Sequence, residues 1–299
     1  MTAVLPASSD QTERVIAGIL IAISGNILFA SSDAMVKLLT ARYSVFQIIA
    51  TQALFALIPL TVMILRTGRF RSLRIRHPRL VALRAFLAGS ATVFGFYSFS
   101  RLPLAESYSI AFCTPIFVTM LSIPILGERV GLHRWGAVLV GLIGILVMVR
   151  PGFETLNAGH AAALLGALLG SFTVLVMRKL ARDEQHAVMV MAVVSGLIII
   201  GVPGTILTFR MPSWPDMALF ACTGLFMGSA QFCVAKSLSL APASVIAPMQ
   251  YSMILWAIVY GALLFGTRVD PVMIAGAAIV IASGLYIMHR ERRRARQGR

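Results

Sequence analysis

The strongest constraint on the fold is that the chain repeats itself across long apolar segments. Residues 102–150 are echoed by residues 238–290: Leu102-Pro103-Leu104-Ala105 answers Leu238-Ser239-Leu240-Ala241, and the GERV beginning at Gly127 answers the GTRV beginning at Gly266. Gly136, Ala137, Val140, Gly144, Met148 and Arg150 recur as Gly276, Ala277, Val280, Gly284, Met288 and Arg290. With 58% hydrophobic and 12% charged residues in 299, a soluble core has no room for this much apolar surface. The expected class is therefore an all-α integral membrane protein built from two copies of one unit.

An apolar stretch of about 20 residues crosses a bilayer as a helix. Ten such stretches are legible: 15–39, 45–65, 80–100, 105–126, 132–149, 161–180, 188–207, 217–238, 243–265 and 271–288. They divide the chain into a tail (1–14), a first five-helix repeat (15–152), a second (153–289) and a basic tail (290–299). Short loops leave no room for an added soluble domain. Asp10 and Glu13 stand where a secretory signal would be basic, so the first apolar run reads as an uncleaved helix.

The net charge of +15 would suggest nucleic acid in a soluble protein, but most of it lies at the ends of apolar runs. Placing the N-terminus inside puts Arg14, the run of arginines from Arg66 to Arg79, Arg129, Arg134, Arg178, Lys179, Arg182, Lys236 and the arginine-rich tail on the cytoplasmic face. Only Lys37, Arg42, Arg101, Arg150, Arg210 and Arg268 fall opposite. This is the positive-inside bias, with both termini cytoplasmic. Five helices per unit is an odd number, so the second unit enters upside down and the repeats are inverted.

Ten spans in a five-plus-five duplication, Leu126-Gly127-Glu128-Arg129 closing the fourth span, and Val147-Met148-Val149-Arg150-Pro151-Gly152 closing the first half carry a family likeness. Together they resemble the drug/metabolite transporter superfamily, in its ten-helix branch with two EamA-type repeats. The resemblance covers the chain from about Ile16 to Met288. It implies a secondary transporter of small organic metabolites in a bacterial inner membrane, working by alternating access. The likeness is greatest to amino-acid exporters, including those for aromatic amino acids. Relatives that take up S-adenosylmethionine or expel small drugs are similar. The second half departs from the acidic phrase, with Thr267 where the first has Glu128.

Within the spans, a charge at the bilayer centre costs roughly 2.5–3.5 kcal/mol on insertion scales. Asp33 and Lys37 are four apart, share a helical face and are expected to pair with each other. The spans of the second half contain no acid, so a coupled proton would ride on Asp33 or Glu106. Glu106 also reads as a helix-start residue beside Arg101. The expected substrate cavity combines apolar walls with a few polar groups: Ser24, Asn26, Asp33, Tyr97, Tyr108, Gln231, Gln250, Tyr251 and Trp256. Pro115 and Pro248 each remove a backbone bond and are the candidate hinges.

Other features read as structure. Gly166 with Gly170, and Gly136, Gly144, Gly276 and Gly284, permit close helix approach. Cys113, Cys222 and Cys233 read as packing residues. The histidines His77, His133, His160, His186 and His289 sit in loops or at helix ends, with neither a metal pattern nor a phosphate loop, and no cofactor is expected. The expected partners are a small-molecule substrate and the lipid bilayer, with the protein a monomer. A membrane-embedded enzyme is the alternative from another class; its mark would be acids or histidines clustered at one membrane face.

Overall fold

The structure, a computed structural model, describes residues 9–66, 75–127, 132–149, 156–180, 183–267 and 271–297. Glu128, Arg129, Arg150, Pro151, Gly152 and Arg268, on which parts of the sequence reading rest, lie outside the described residues. The elements are α1 (Ser9–Thr40), α2 (Val45–Arg66), α3 (Pro78–Arg101), α4 (Leu104–Ala111), α5 (Thr114–Leu126) and α6 (Leu132–Val149). The second half supplies α7 (Ala158–Leu180), α8 (His186–Thr208), α9 (Trp214–Leu240), α10 (Ala243–Ile246), a 3-10 segment (Ala247–Tyr251), α11 (Ser252–Phe265) and α12 (Pro271–Gln297). There is no strand among the described residues, as expected where lipid forbids an unpaired backbone.

Eight segments among the described residues are long and apolar enough to cross a membrane. Helices α6 and α12 coincide with the two remaining expected spans. Large apolar side chains such as Leu54, Ile58, Phe86, Ile199, Ile206 and Leu263 are exposed round the bundle. Water would penalise that surface heavily; hydrocarbon covers it at no cost. This is a multi-pass membrane protein. Helix α12 continues through the stretch read as the basic tail, to Gln297.

Helices of opposite halves interlock. α1 packs on α9 as α7 packs on α3, and α2 packs on α9 as α8 packs on α3, while α2 meets α8 and α6 meets α12. Exchanging the halves leaves this pattern unchanged. Each half therefore buries its first and third helices mainly against the other half. The result is two groups of three, α1 with α2 and α9, and α3 with α7 and α8, joined along α2 and α8.

Small residues set these approaches. A Cβ on Gly196 would lie 1.9 Å from the Ala85 carbonyl oxygen, and one on Gly224 2.5 Å from that of Gln52, so α8 and α9 rest on the backbones of α3 and α2. Among the glycines expected to pack, Gly144 meets Gly276 and Ile279, and Gly166 approaches Ala91, whereas Gly136 faces open space. The chief core surrounds Leu39, Ile48, Ile49, Leu60, Leu104 and Phe220.

Two expected spans are not continuous. The fourth breaks between α4 and α5, and the ninth passes through the 3-10 segment before α11. Pro115, second residue of α5, has no amide to offer the Ala111 carbonyl; the Thr114 hydroxyl takes that oxygen at 2.7 Å. Pro248 lies at the start of the 3-10 segment. Both broken helices end in a left-handed glycine, Gly127 (φ 67°) and Gly266 (φ 59°), a conformation that a side chain would strain.

Candidate functional site

The two breaks meet. Phe112 and Tyr251 stand equally far before Gly127 and Gly266, and their rings pack with centroids 4.8 Å apart. Each break is tied to the first helix of the opposite half. Asn26 of α1 donates to the Met249 carbonyl at 2.6 Å and to the Ser252 hydroxyl at 3.2 Å. Thr114 reaches the Ala167 carbonyl of α7 at 3.4 Å. The breaks are thus cross-tied to neighbouring helices, and the carbonyl that Pro115 leaves without an amide is taken by the Thr114 hydroxyl of its own segment, which is what permits irregular chain at this depth.

Beside the breaks lies a cavity of about 440 Å³, walled by α4, α5, α7, the 3-10 segment and α11. Ala111, Phe112, Pro115, Val118, Val174 and Met253 form its apolar lining; Tyr108, Thr114, Thr119, Gln250 and Arg178 are its polar members. Arg178 stands in the last turn of α7, so the cavity runs from the breaks toward that end of the bundle.

Toward the other end, where α1 and α3 finish, the helices are bonded shut. The Lys37 ammonium donates to the Phe99 carbonyl at 2.7 Å and the Leu102 carbonyl at 2.6 Å, and lies 5.4 Å from the centre of the Phe265 ring. Tyr108 donates to the Asp33 carboxylate at 2.5 Å, and Ser31 and Tyr260 share a bond of 2.6 Å. Glu106 meets His160 Nε2 at 2.8 Å. Five elements, α1, α3, α4, α7 and α11, are thereby joined at one end of the molecule.

Two expected pairings are corrected. Lys37 does not pair with Asp33: the carbonyls at the end of α3 and the phenol of α4 compete for them and win, because each charge thereby finds a partner at hydrogen-bond distance. Glu106 does begin α4, but its partner is His160, while Arg101 lies 5.5 Å over the Tyr97 ring.

Of the other expected cavity residues, Tyr108 and Gln250 line the hollow, and Tyr251 reaches it through Phe112. Asp33 stands behind Tyr108, and Asn26 holds the 3-10 segment. Ser24 is exposed and bonds the Leu20 carbonyl of its own helix at 3.0 Å. Gln231 is half-buried on α9 outside the lining, and Trp256 is half-buried with its Nε1 unpartnered among the described residues. Sequence reasoning missed Arg178, Thr114 and Thr119, and also the buried chain in which Gln52 donates to Ser32 (3.0 Å) and Ser32 to the Thr223 carbonyl (2.9 Å).

A multi-pass helical bundle with paired broken helices beside a mainly apolar cavity holding a few polar groups is the build of a membrane transporter. The EamA-like transporter family profile matches residues 16–150 and again 157–288. The chain belongs to the EamA-like transporter family, with one copy of the unit in each half. It is 24% identical over 264 residues to an S-adenosylmethionine uptake transporter of Rickettsia prowazekii, covering 88% of this chain and 89% of that one. To a riboflavin transporter of Vibrio cholerae it is 26% identical over 239 residues, 78% of each. A transporter of Helicobacter pylori strain J99 is 24% identical over 91% of this chain and 95% of its own. One solved crystal structure shares the fold with a TM-score of 0.64 at 19% identity, over 93% of this chain and 98% of that one.

Proposed function

We propose that the protein is a secondary transporter that exports small organic metabolites, amino acids including aromatic ones among them, across a bacterial inner membrane by alternating access. The observation that carries this reading is the contrast between the two ends: Lys37, Asp33 and Glu106 bond one mouth shut, while the cavity runs toward the other. By the positive-inside bias, the Arg178 end is cytoplasmic and both termini lie on that side. The cavity then receives its cargo from the cytoplasm. Its chemistry suits an amino acid: Arg178 and Gln250 complement a carboxylate, while Phe112, Met253 and Val118 accept an apolar side chain. Pro115 and Pro248 are the hinges of the broken helices, and Asp33 or Glu106 carries any coupled proton.

The test is flux of a labelled metabolite panel into and out of liposomes holding the purified monomer. At least one amino acid is expected to move, with Ala111→Trp, which fills the cavity, abolishing flux and Gln250→Ala raising the half-saturating concentration. Flux unaffected by Ala111→Trp refutes the cavity. Uptake is the second reading, favoured by the relatives that carry S-adenosylmethionine inward, and the same panel read in both directions separates the two.

A further inference from the structure

We propose that Arg178 latches the mouth that stands open here, as Lys37 latches the opposite one. The inference rests on the transport reading and adds a residue to its cycle. Packing fixes the correspondence between halves. Laying Leu39 of α1 on Leu180 of α7 also lays Ala30 on Ser171 and Ala34 on Leu175, all of them buried, and it lays Lys37 on Arg178. At the ends of α3 and α9, the Leu102 amide caps the Ser98 carbonyl at 2.8 Å and the Ala241 amide caps the Ser237 carbonyl at 3.0 Å. In that register the Phe99 and Leu102 carbonyls held by Lys37 correspond to the carbonyls of Leu238 and Ala241.

The two ends differ in state. α1 packs against α3, whereas α7 does not pack along α9 among the described residues, and the cavity reaches Arg178 on that side. When the ends of α7 and α9 swing together, the Arg178 guanidinium exchanges its present interaction for the Leu238 and Ala241 carbonyls. Those oxygens close a helix and carry the negative end of its dipole. A guanidinium offers five donors and no acceptor, enough for both. Each latch bonds in only one of the two states, so each cation biases the equilibrium toward its own closed mouth.

The test uses the full chain in oriented vesicles, with Cys113, Cys222 and Cys233 replaced by alanine and Ala111→Cys on the cavity wall as the target of a membrane-impermeant maleimide. Labelling is timed from the Lys37 face. Lys37→Gln is expected to raise that rate about tenfold and Arg178→Gln to lower it about tenfold, the size of one charge-assisted bond lost from one state only. Arg178→Lys should keep the wild-type rate, since a lysine does this work at the other mouth. Should Arg178→Gln not fold, Arg178→Met gives the same reading. An unchanged rate in the glutamine variant, a change in the same direction as Lys37→Gln, or no rescue by lysine overturns the latch. If the parent protein moves no metabolite and Ala111→Cys is never reached from the Lys37 face, the transport reading falls, and the latch with it. Metabolite flux and two-sided labelling in the parent protein, with a labelling rate that Arg178→Gln leaves untouched, overturn the latch alone.

Discussion

The bond between Tyr108 and Asp33 gives the sharpest measurement of what holds the closed end together. Tyr108→Phe removes the hydroxyl and keeps the ring, whose edge-on packing against Phe99, with centroids 5.7 Å apart, survives. Asp33→Val installs the residue that the second half carries at the equivalent position, Val174, so the apolar replacement already has a precedent in this fold. Interhelical hydrogen bonds in membranes average about 0.6 kcal/mol in double-mutant cycles, with a maximum near 1.7. A charged acceptor roughly doubles a hydrogen bond, so the 2.5 Å contact to a carboxylate should couple the two sites by about 1–2 kcal/mol. At about 1.4 kcal/mol per tenfold, that is roughly a 5- to 30-fold change in the unfolding constant. The assay is SDS-driven unfolding of the parent, both single variants and the double variant in mixed micelles. A coupling at or below about 0.5 kcal/mol would refute the reasoning, because it would leave this bond no stronger than a neutral one.

Gly196→Ala should force α8 from α3, since its new Cβ meets the Ala85 backbone, and should lower stability by about 1–3 kcal/mol. Gly95→Ala, with nothing within 4 Å, should be neutral, and thermal midpoints of the two purified variants check the contrast. Asp216 accepts from Tyr43 and Ser213 at 2.8 Å and from Arg42 at 3.2 Å. Because the Arg42 side chain is 68% exposed, Arg42→Ala should cost less than about 1 kcal/mol, while Asp216→Ala, which also strips the buried phenol of its partner, should cost about 1–3 kcal/mol. An equal loss in the two variants would contradict that ranking. An imposed pH gradient should change flux in the parent protein and not in Asp33→Asn; gradient-insensitive flux together with an active variant would remove the proton role.

The duplication was legible because apolar segments and their glycines recur, yet the register slipped where helix lengths differ. Sequence likeness matches Leu102 to Leu238, but α9 runs 27 residues against 24 for α3, and the folded counterpart of Leu102 is Ala241. Pro103 and Pro242, each just before a broken helix, then coincide. The breaks announced themselves through proline. Asp33 and Lys37 misled because spacing along one helix reports only neighbours on that helix, and the partners that captured them come from α3 and α4. Arg178 stayed hidden among the loop arginines, whose common explanation is topology. Only a correct alignment of α1 on α7 singles it out, as the counterpart of Lys37.

The interlocking of the halves has a consequence during synthesis. α1 finds its main packing surface on α9, which leaves the ribosome about 200 residues later, on the order of 10–40 s at ordinary elongation rates. Until then the flank of α1 that carries Gly18 and Gly25 faces lipid, and the first half waits in the bilayer as an unfinished assembly. A nascent chain stalled between the repeats would expose that flank to quality-control proteases, and two separately expressed halves would be rescued only by finding each other.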